Sequence, residues 1–413
     1  MESIQECKAK KIRDSRGEET IEVKISTGDF SAEASVPAGK STGSREAVAL
    51  SADEAMKSVN EVIAPAIIGK MVSVAEIDKF LLELDGTENK SKLGANAILG
   101  VSIAVLRLSA QIAGNHLWQY IQSLGACLPD RQGSTLPTGQ AGSKDFGDNS
   151  VKFPRLFVNV LNGGAHADFR LPFQEYMFVL GNGLNVEGPF NQLQVLFEQL
   201  KKKLEGDNKE TQMGDEGGFS FKSDNIEEPF EILSNLHNSL AIDVAGGEFF
   251  EDGQYNVSNK KYSSDELLSV YEDLVKKFPL VSIEDPFDEN DFAGFKKITE
   301  ELGDKIMVVG DDLTTTNSKE IKKFIDEGLM NSVLIKPNQI GTVTETLEAI
   351  NLTHEAGFKT IVSHRSGETR DSFIADLAVG VGAYGIKAGA PSQPERVVKY
   401  GRLIEIEKEM GKC

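Results

Sequence analysis

Residues 305–336 read KIMVVGDDLTTTNSKEIKKFIDEGLMNSVLIK. An apolar run ends abruptly in Asp311, residues 318–328 carry apolar side chains at helical spacing and stop at Gly328, and a second apolar run ends in Lys336. The order is strand, helix, strand. A helix between two β-type runs joins parallel strands, whereas a hairpin needs only a tight turn.

Working outward, the same unit recurs. SLAID ends at Asp243, PLVSIE at Glu284, FKTIVSH at His364 and YGIK at Lys387; with Asp311 and Lys336 the successive spacings are 41, 27, 25, 28 and 23 residues. Helical patterns closed by glycine fill the gaps, as at 342–357 and 371–380. About 260 residues of such alternation predict a barrel, in which every strand's C-terminal end lies on one face. Six residues remote in sequence are therefore expected around one cavity. The start is irregular: the runs 156–161 and 176–180 are separated by NGGAHADFRLPFQE, a poor helix, so an antiparallel pair is expected there.

Ahead of the barrel, strand-like runs at 20–25 and 30–36 give way to helical patterns from residue 46 onward, an α+β arrangement. Residues 131–150, RQGSTLPTGQAGSKDFGDNS, are rich in turn formers and read as a linker or surface loop. The expected organisation is an α+β domain at 1–132, a linker or insertion at 133–150, and a barrel domain at 151–413.

The formal charge of −20 argues against nucleic acid or an anionic membrane as partner, since both need dense Lys and Arg. Cys7, Cys127 and Cys413 are odd in number and far apart, which suits a reducing, cytoplasmic setting better than a disulfide framework. The first residues lack the apolar stretch of a signal peptide. The most apolar window, 96–113, is interrupted by Ser102, Arg107 and Ser109 and reads as a buried helix, not a membrane span.

Asp243, Glu284 and Asp311 would be carboxylates on neighbouring strand ends. Such a cluster calls for a cation, and oxygen donors without Cys or His select Mg²⁺ over zinc. One of them alone could merely cap a helix; three in succession could not. Lys336 and Lys387 face the same cavity. A lysine beside a divalent cation and a second lysine has its ammonium form disfavoured, bringing it towards the range of a general base; the blander alternative is a salt bridge to a carboxylate. SHRSG places His364, Arg365 and Ser366 after a strand, where they suit a phosphate or carboxylate. MGDEGG offers Asp215 and Glu216 on a loop that a ligand can approach closely, and His166, Gln174 and Glu175 fall at the irregular start. PAGKSTG at 37–43 contains the GKST of a P-loop, but the full motif needs glycine at position 34, which is Ala34.

Eleven collinear segments carry a family resemblance: DSRG (14–17), STG (41–43), NKSKLGANAILGVS (89–102), NVLNGGAHA (159–167), QEYM (174–177), GDEGG (214–218), SIEDPF (282–287), GDDLTTTN (310–317), IKPNQIGT (335–342), SHRSGET (363–369) and IKAGAP (386–391). Together they resemble the enolases in motif and order. The resemblance implies a modified TIM-type (β/α)8 barrel preceded by a smaller capping domain, at least a homodimer, and reversible dehydration of 2-phosphoglycerate to phosphoenolpyruvate. It implies two Mg²⁺ per active site, the first on Asp243, Glu284 and Asp311, the second helped by Ser41. Lys336 would be the base and Glu216 the acid. His166, Gln174, Glu175, His364, Arg365, Ser366 and Lys387 would bind substrate. A relative acting on another carboxylate, or a non-catalytic binding protein of the same fold, remains an alternative.

Departures from the family pattern are informative. Lys40 replaces a small residue next to Ser41 and is expected to alter affinity for the second Mg²⁺. EET follows DSRG, and GAPSQPER stands late in the chain; both lie away from the expected chemistry.

Overall fold

The computed structural model describes residues 2–40, 43–126 and 152–411. The expected linker, Ser41, Cys127 and Cys413 lie outside the described residues.

The N-terminal part carries a three-stranded antiparallel sheet, β1 (Glu6–Arg13), β2 (Glu19–Ser26) and β3 (Ser31–Ser35), in that order. Ile21, Val23 and Ile25 point from β2 into the core and are fully buried, as the period of two requires. They pack on the helix Ala95–Ile112. A Cβ at Gly100 would sit 2.7 Å from Val23 Cγ2, so this close approach needs glycine.

Two local expectations need correction. The sequence reading leaves out β1, because only Cys7 and Ala9 of its residues are buried and its outer face is charged. What makes it a strand is its partner: the ladder with β2 runs from Glu6 opposite Ser26 to Arg13 opposite Glu19. Helix also begins later than residue 46. The first helix is Ala52–Lys57, set by a capping box in which Ser51 Oγ accepts from Glu54 N and the Glu54 carboxylate accepts from Ser51 N. Glu46 is instead turned towards Arg365.

By length and mean hydropathy, 1.5, the helix Ala95–Ile112 resembles a membrane span, but 78% of it is buried inside the protein. Its polar interruptions join it to the barrel. Ser102 Oγ accepts from Val343 N at 2.9 Å, and Arg107 makes an ion pair with Asp371 at 2.6 Å.

Eight strands close the barrel: β4 (Arg155–Asn162), β5 (Glu175–Leu180), β6 (Leu240–Asp243), β7 (Leu280–Glu284), β8 (Met307–Gly310), β9 (Ser332–Ile335), β10 (Lys359–Ser363) and β11 (Gly385–Lys387), with β11 paired back to β4. Only β5 runs against its neighbours, antiparallel to both β4 and β6. The antiparallel start expected from the sequence is present, and a short 3-10 turn, Gly164–Ala167, replaces a crossover helix there. The helices Ser318–Glu327, Val343–Glu355 and Phe373–Gly380 follow their strands as expected.

The alternation of side chains along each strand positions the site. Phe157, Met177, Val179, Ala241, Met307, Val309, Leu334 and Ile361 fill the barrel interior as one apolar cluster. Two residues further towards the C-terminal end of the parallel strands, the same face presents Asn159, Asp243, Asp311, Lys336 and Ser363. A period of two carries the floor of the barrel into the wall of the cavity.

Candidate active site

Five of the six strand-terminal residues line one cleft. Asp243, Asp311, Lys336, His364 and Lys387 line it together with His166, Gln174, Glu175, Glu216, Arg365 and Ser366, and Glu284 joins them through Lys387.

Lys387 is the electrostatic centre. Its buried ammonium donates to Asp243 Oδ2 at 3.0 Å and Glu284 Oε1 at 2.9 Å, and stands 3.1 Å from Glu175 Oε2. Burial disfavours this charge, but Asp243, Glu175 and Glu284 outweigh burial and hold it well above the usual lysine range. Lys336 is paired with Asp311, whose other oxygen accepts from Gln339 Nε2 at 2.9 Å. The salt bridge to a carboxylate, the alternative open for Lys336 in the sequence, is the arrangement present. Burial pulls the lysine pKa down, yet Asp311 holds the ammonium above its ordinary value.

Asp285 and Asp312 were not singled out in the sequence. Asp285 is buried, adopts φ 39°, and accepts from Asp311 N at 2.9 Å and Asp312 N at 2.8 Å, so it fixes the turn that presents Asp311. Burial first, then Asp311, pushes the Asp312 carboxyl up to about 8. Asp285, Asp311 and Asp312 bring one oxygen each within 4.8 Å of one another. Carboxyls so crowded, with no thiolate among them, suit a hard divalent cation. Asp243 and Glu284 stand in register on adjacent strands, but both turn onto Lys387. The predicted triad is thus brought to one cavity, with two lysines occupying its charge.

A second cluster joins His166, Glu175 and Glu216, whose ligand atoms also lie within 4.8 Å of one another. Two buried carboxyls this close cannot both ionise cheaply. Burial first, and then the charge of Glu216, raise Glu175 well above the carboxylate range. Glu216 goes the other way: burial opposes its charge, but His364, His166 and Arg396 around it outweigh burial. The two carboxyls are thus pushed in opposite directions, Glu175 up and Glu216 down. Asn159 Nδ2 donates to Glu216 Oε2 at 3.0 Å. His166 Nδ1 and Gln174 Oε1 are buried without a hydrogen-bond partner among the described residues, as expected of groups that await a ligand.

Arg365 donates to both oxygens of Glu46 at 3.0 Å and to Asn338 Oδ1 at 2.9 Å, which aims it across the domain seam. Ser366 Oγ accepts from Arg16 of the DSRG segment at 3.3 Å. Lys40 reaches Asp215 Oδ2 at 2.9 Å and Ala165 O at 3.0 Å, joining the capping domain to the loops that carry Glu216 and His166. The sequence does not single out Glu46, Gln339, Asn159 or Arg396, because each acquires meaning only from a distant partner.

Two family models match the chain. One, described as the enolase C-terminal TIM barrel domain, covers residues 150–413; the other, described as the enolase N-terminal domain, covers residues 4–121.

Proposed function

This chain belongs to the enolase family, and we propose that it catalyses the reversible dehydration of 2-phosphoglycerate to phosphoenolpyruvate. The observation that carries this reading is the presence, in one cleft, of a lysine base candidate, Lys336, and two buried carboxyls, Glu175 and Glu216, that bring oxygens within 4.8 Å of each other. Abstraction of a proton beside a carboxylate and loss of hydroxide from the next carbon need such a base and such an acid.

In this reading Lys336 Nζ takes the proton from C2, and the C3–O bond breaks as the departing hydroxide receives a proton from the Glu175–Glu216 pair, leaving as water. Glu216 delivers it and Glu175 replenishes it. Arg365, Ser366, His166 and Gln174 hold the anionic substrate, supported by the unpartnered polar atoms at His166 and Gln174. Asp311 cannot remain paired with Lys336 while Lys336 is a free base, so that ion pair opens during the cycle. Asp243, Glu284 and Asp311 would hold one Mg²⁺, with a second near the loop of Ser41. The bound ions supply positive charge to the substrate carboxylate, where negative charge develops. A cytoplasmic setting and a homodimer belong to the same proposal.

The test follows the ultraviolet absorbance of the enol phosphate formed from 2-phosphoglycerate, with Mg²⁺ and then with a chelator. Magnesium-dependent turnover that is lost in Lys336→Ala is the expected result. Turnover of acid sugars instead would assign a different carboxylate substrate, and no turnover by the folded protein would mark a binding role.

A further inference from the structure

Arg396 lies in the first turn of the helix Pro394–Met410 and is fully buried. Its guanidinium is spent on the SHRS segment and its surroundings. Nη1 donates to Arg365 O at 2.6 Å and to His364 Nδ1 at 2.5 Å; Nη2 donates to Ser366 O at 2.7 Å and Asp215 O at 3.4 Å; Nε donates to Gln393 Oε1 at 3.2 Å.

A guanidinium has no lone pair to offer, so His364 Nδ1 must be the acceptor of this bond. An imidazole that accepts at Nδ1 is neutral and carries its single proton on Nε2. Nε2 lies 3.3 Å from Glu216 Oε2. We infer that Arg396 is a positioning residue that locks His364 in the neutral Nε2–H tautomer, so that His364 presents a fixed N–H towards Glu216 and exchanges no proton during the reaction.

The surroundings agree. Protonating Nδ1 would break a charge-assisted bond in a dry site and set two cations face to face. The charged groups facing the ring are Glu216 from its loop, Lys387 at the end of β11 and Arg396 from the helix. Burial first, with Arg396 and Lys387 adding to it against Glu216, pushes the imidazole down to about 3. Asn159 Nδ2 donates to the same Glu216 oxygen; His364 Nε2 faces it at 3.3 Å without completing a hydrogen bond among the described residues, and Oε1 lies towards His166. His364 thereby differs from His166, whose Nδ1 has no such partner among the described residues.

This inference rests on the proposed reaction for its consequence and on hydrogen-bond chemistry alone for its geometry. The experiment is nitrogen-15 NMR of the imidazoles in the full-length protein. The chain has five histidines, and His364→Gln assigns the signal. The wild type is expected to show one Nε2–H tautomer for His364 that does not titrate between about pH 5 and 9. In Arg396→Gln the amide can donate or accept, so mixed tautomers and a titrating ring are expected, together with a new limb in the pH profile of kcat/KM. Arg396→Lys keeps a donor without an acceptor and is expected to restore the single tautomer.

A wild-type His364 that carries its proton on Nδ1, or titrates near neutrality, would overturn the inference. So would a folded Arg396→Gln with an unchanged tautomer and pH profile, which is what a purely structural arginine predicts. Should Arg396→Gln not fold, the wild-type spectrum and Arg396→Lys still decide. Absence of turnover with the expected tautomer would sink the reaction and leave the lock intact.

Discussion

The ammonium of Lys336 is ion-paired with the carboxylate of Asp311, so the base and the metal ligand of the proposed reaction begin as each other's partner. Substituting each separates their roles. Lys336→Ala is expected to lower kcat by ~10²–10⁴-fold, the span of a general base, without raising the magnesium needed for half-maximal rate in the residual activity. Asp311→Asn is expected to raise that magnesium requirement. Steady-state rates over a magnesium series check both, and equal metal dependence in the two variants would refute the assignment.

Lys387 stands 2.9–3.1 Å from carboxyl oxygens of Asp243, Glu284 and Glu175. Removing one side of a buried ion cluster leaves uncompensated charge, which costs about 3–5 kcal/mol. Lys387→Met should therefore melt well below the wild type in chelator. Added Mg²⁺ should recover more of the loss in the variant than it adds to the wild type, because a cation can then serve the freed carboxylates. Calorimetry with and without Mg²⁺ reads the difference; equal magnesium shifts in both proteins would contradict it.

Arg107 and Asp371 join the capping domain to the barrel domain through two short bonds, 2.6 and 2.7 Å. Burial disfavours the Asp371 carboxylate, but Arg107 outweighs burial and depresses its pKa. A depressed carboxyl contributes stability that is fully present above its unfolded value of about 3.9 and lost as pH falls through the lower folded value. Asp371→Asn should cost about 3–5 kcal/mol at pH 7. Urea unfolding at pH 7 and below pH 4 should show the gap between wild type and variant narrowing with acid; a gap that is independent of pH would mean that the pair contributes through shape alone.

Lys40 gives its ammonium to Asp215 Oδ2 and Ala165 O. An exposed pair of this kind contributes about 0.2–1 kcal/mol. Lys40→Ala should raise KM for substrate by about 1.4–5-fold, with the effect shrinking in high salt and absent in the Asp215→Asn background. Its magnesium dependence should match the wild type. A double-mutant cycle on KM measures the coupling, and additivity of the two substitutions would exclude it.

Several features were legible before any coordinates. Apolar runs that stop at Asp243, Glu284, Asp311, Lys336, His364 and Lys387 announce parallel strands with functional C-terminal ends, because burial on both faces demands an unbroken apolar run and the cavity demands a polar end. The poor helix between 161 and 176 announced the reversed β5 for the same reason. β1 was not legible: with its outer face charged, only the ladder to β2 identifies it.

The sequence by itself determined the barrel, its irregular start and the set of side chains at its mouth, since these follow from local periodicity and the geometry of a closed parallel sheet. Tertiary structure alone decided which groups meet: Lys387 with Asp243, Glu284 and Glu175, Lys336 with Asp311, Glu175 with Glu216, and His364 Nδ1 with Arg396. Ionisation and hydrogen-bond direction depend on distances of a few ångströms between residues tens to hundreds of positions apart, and no local pattern encodes those distances.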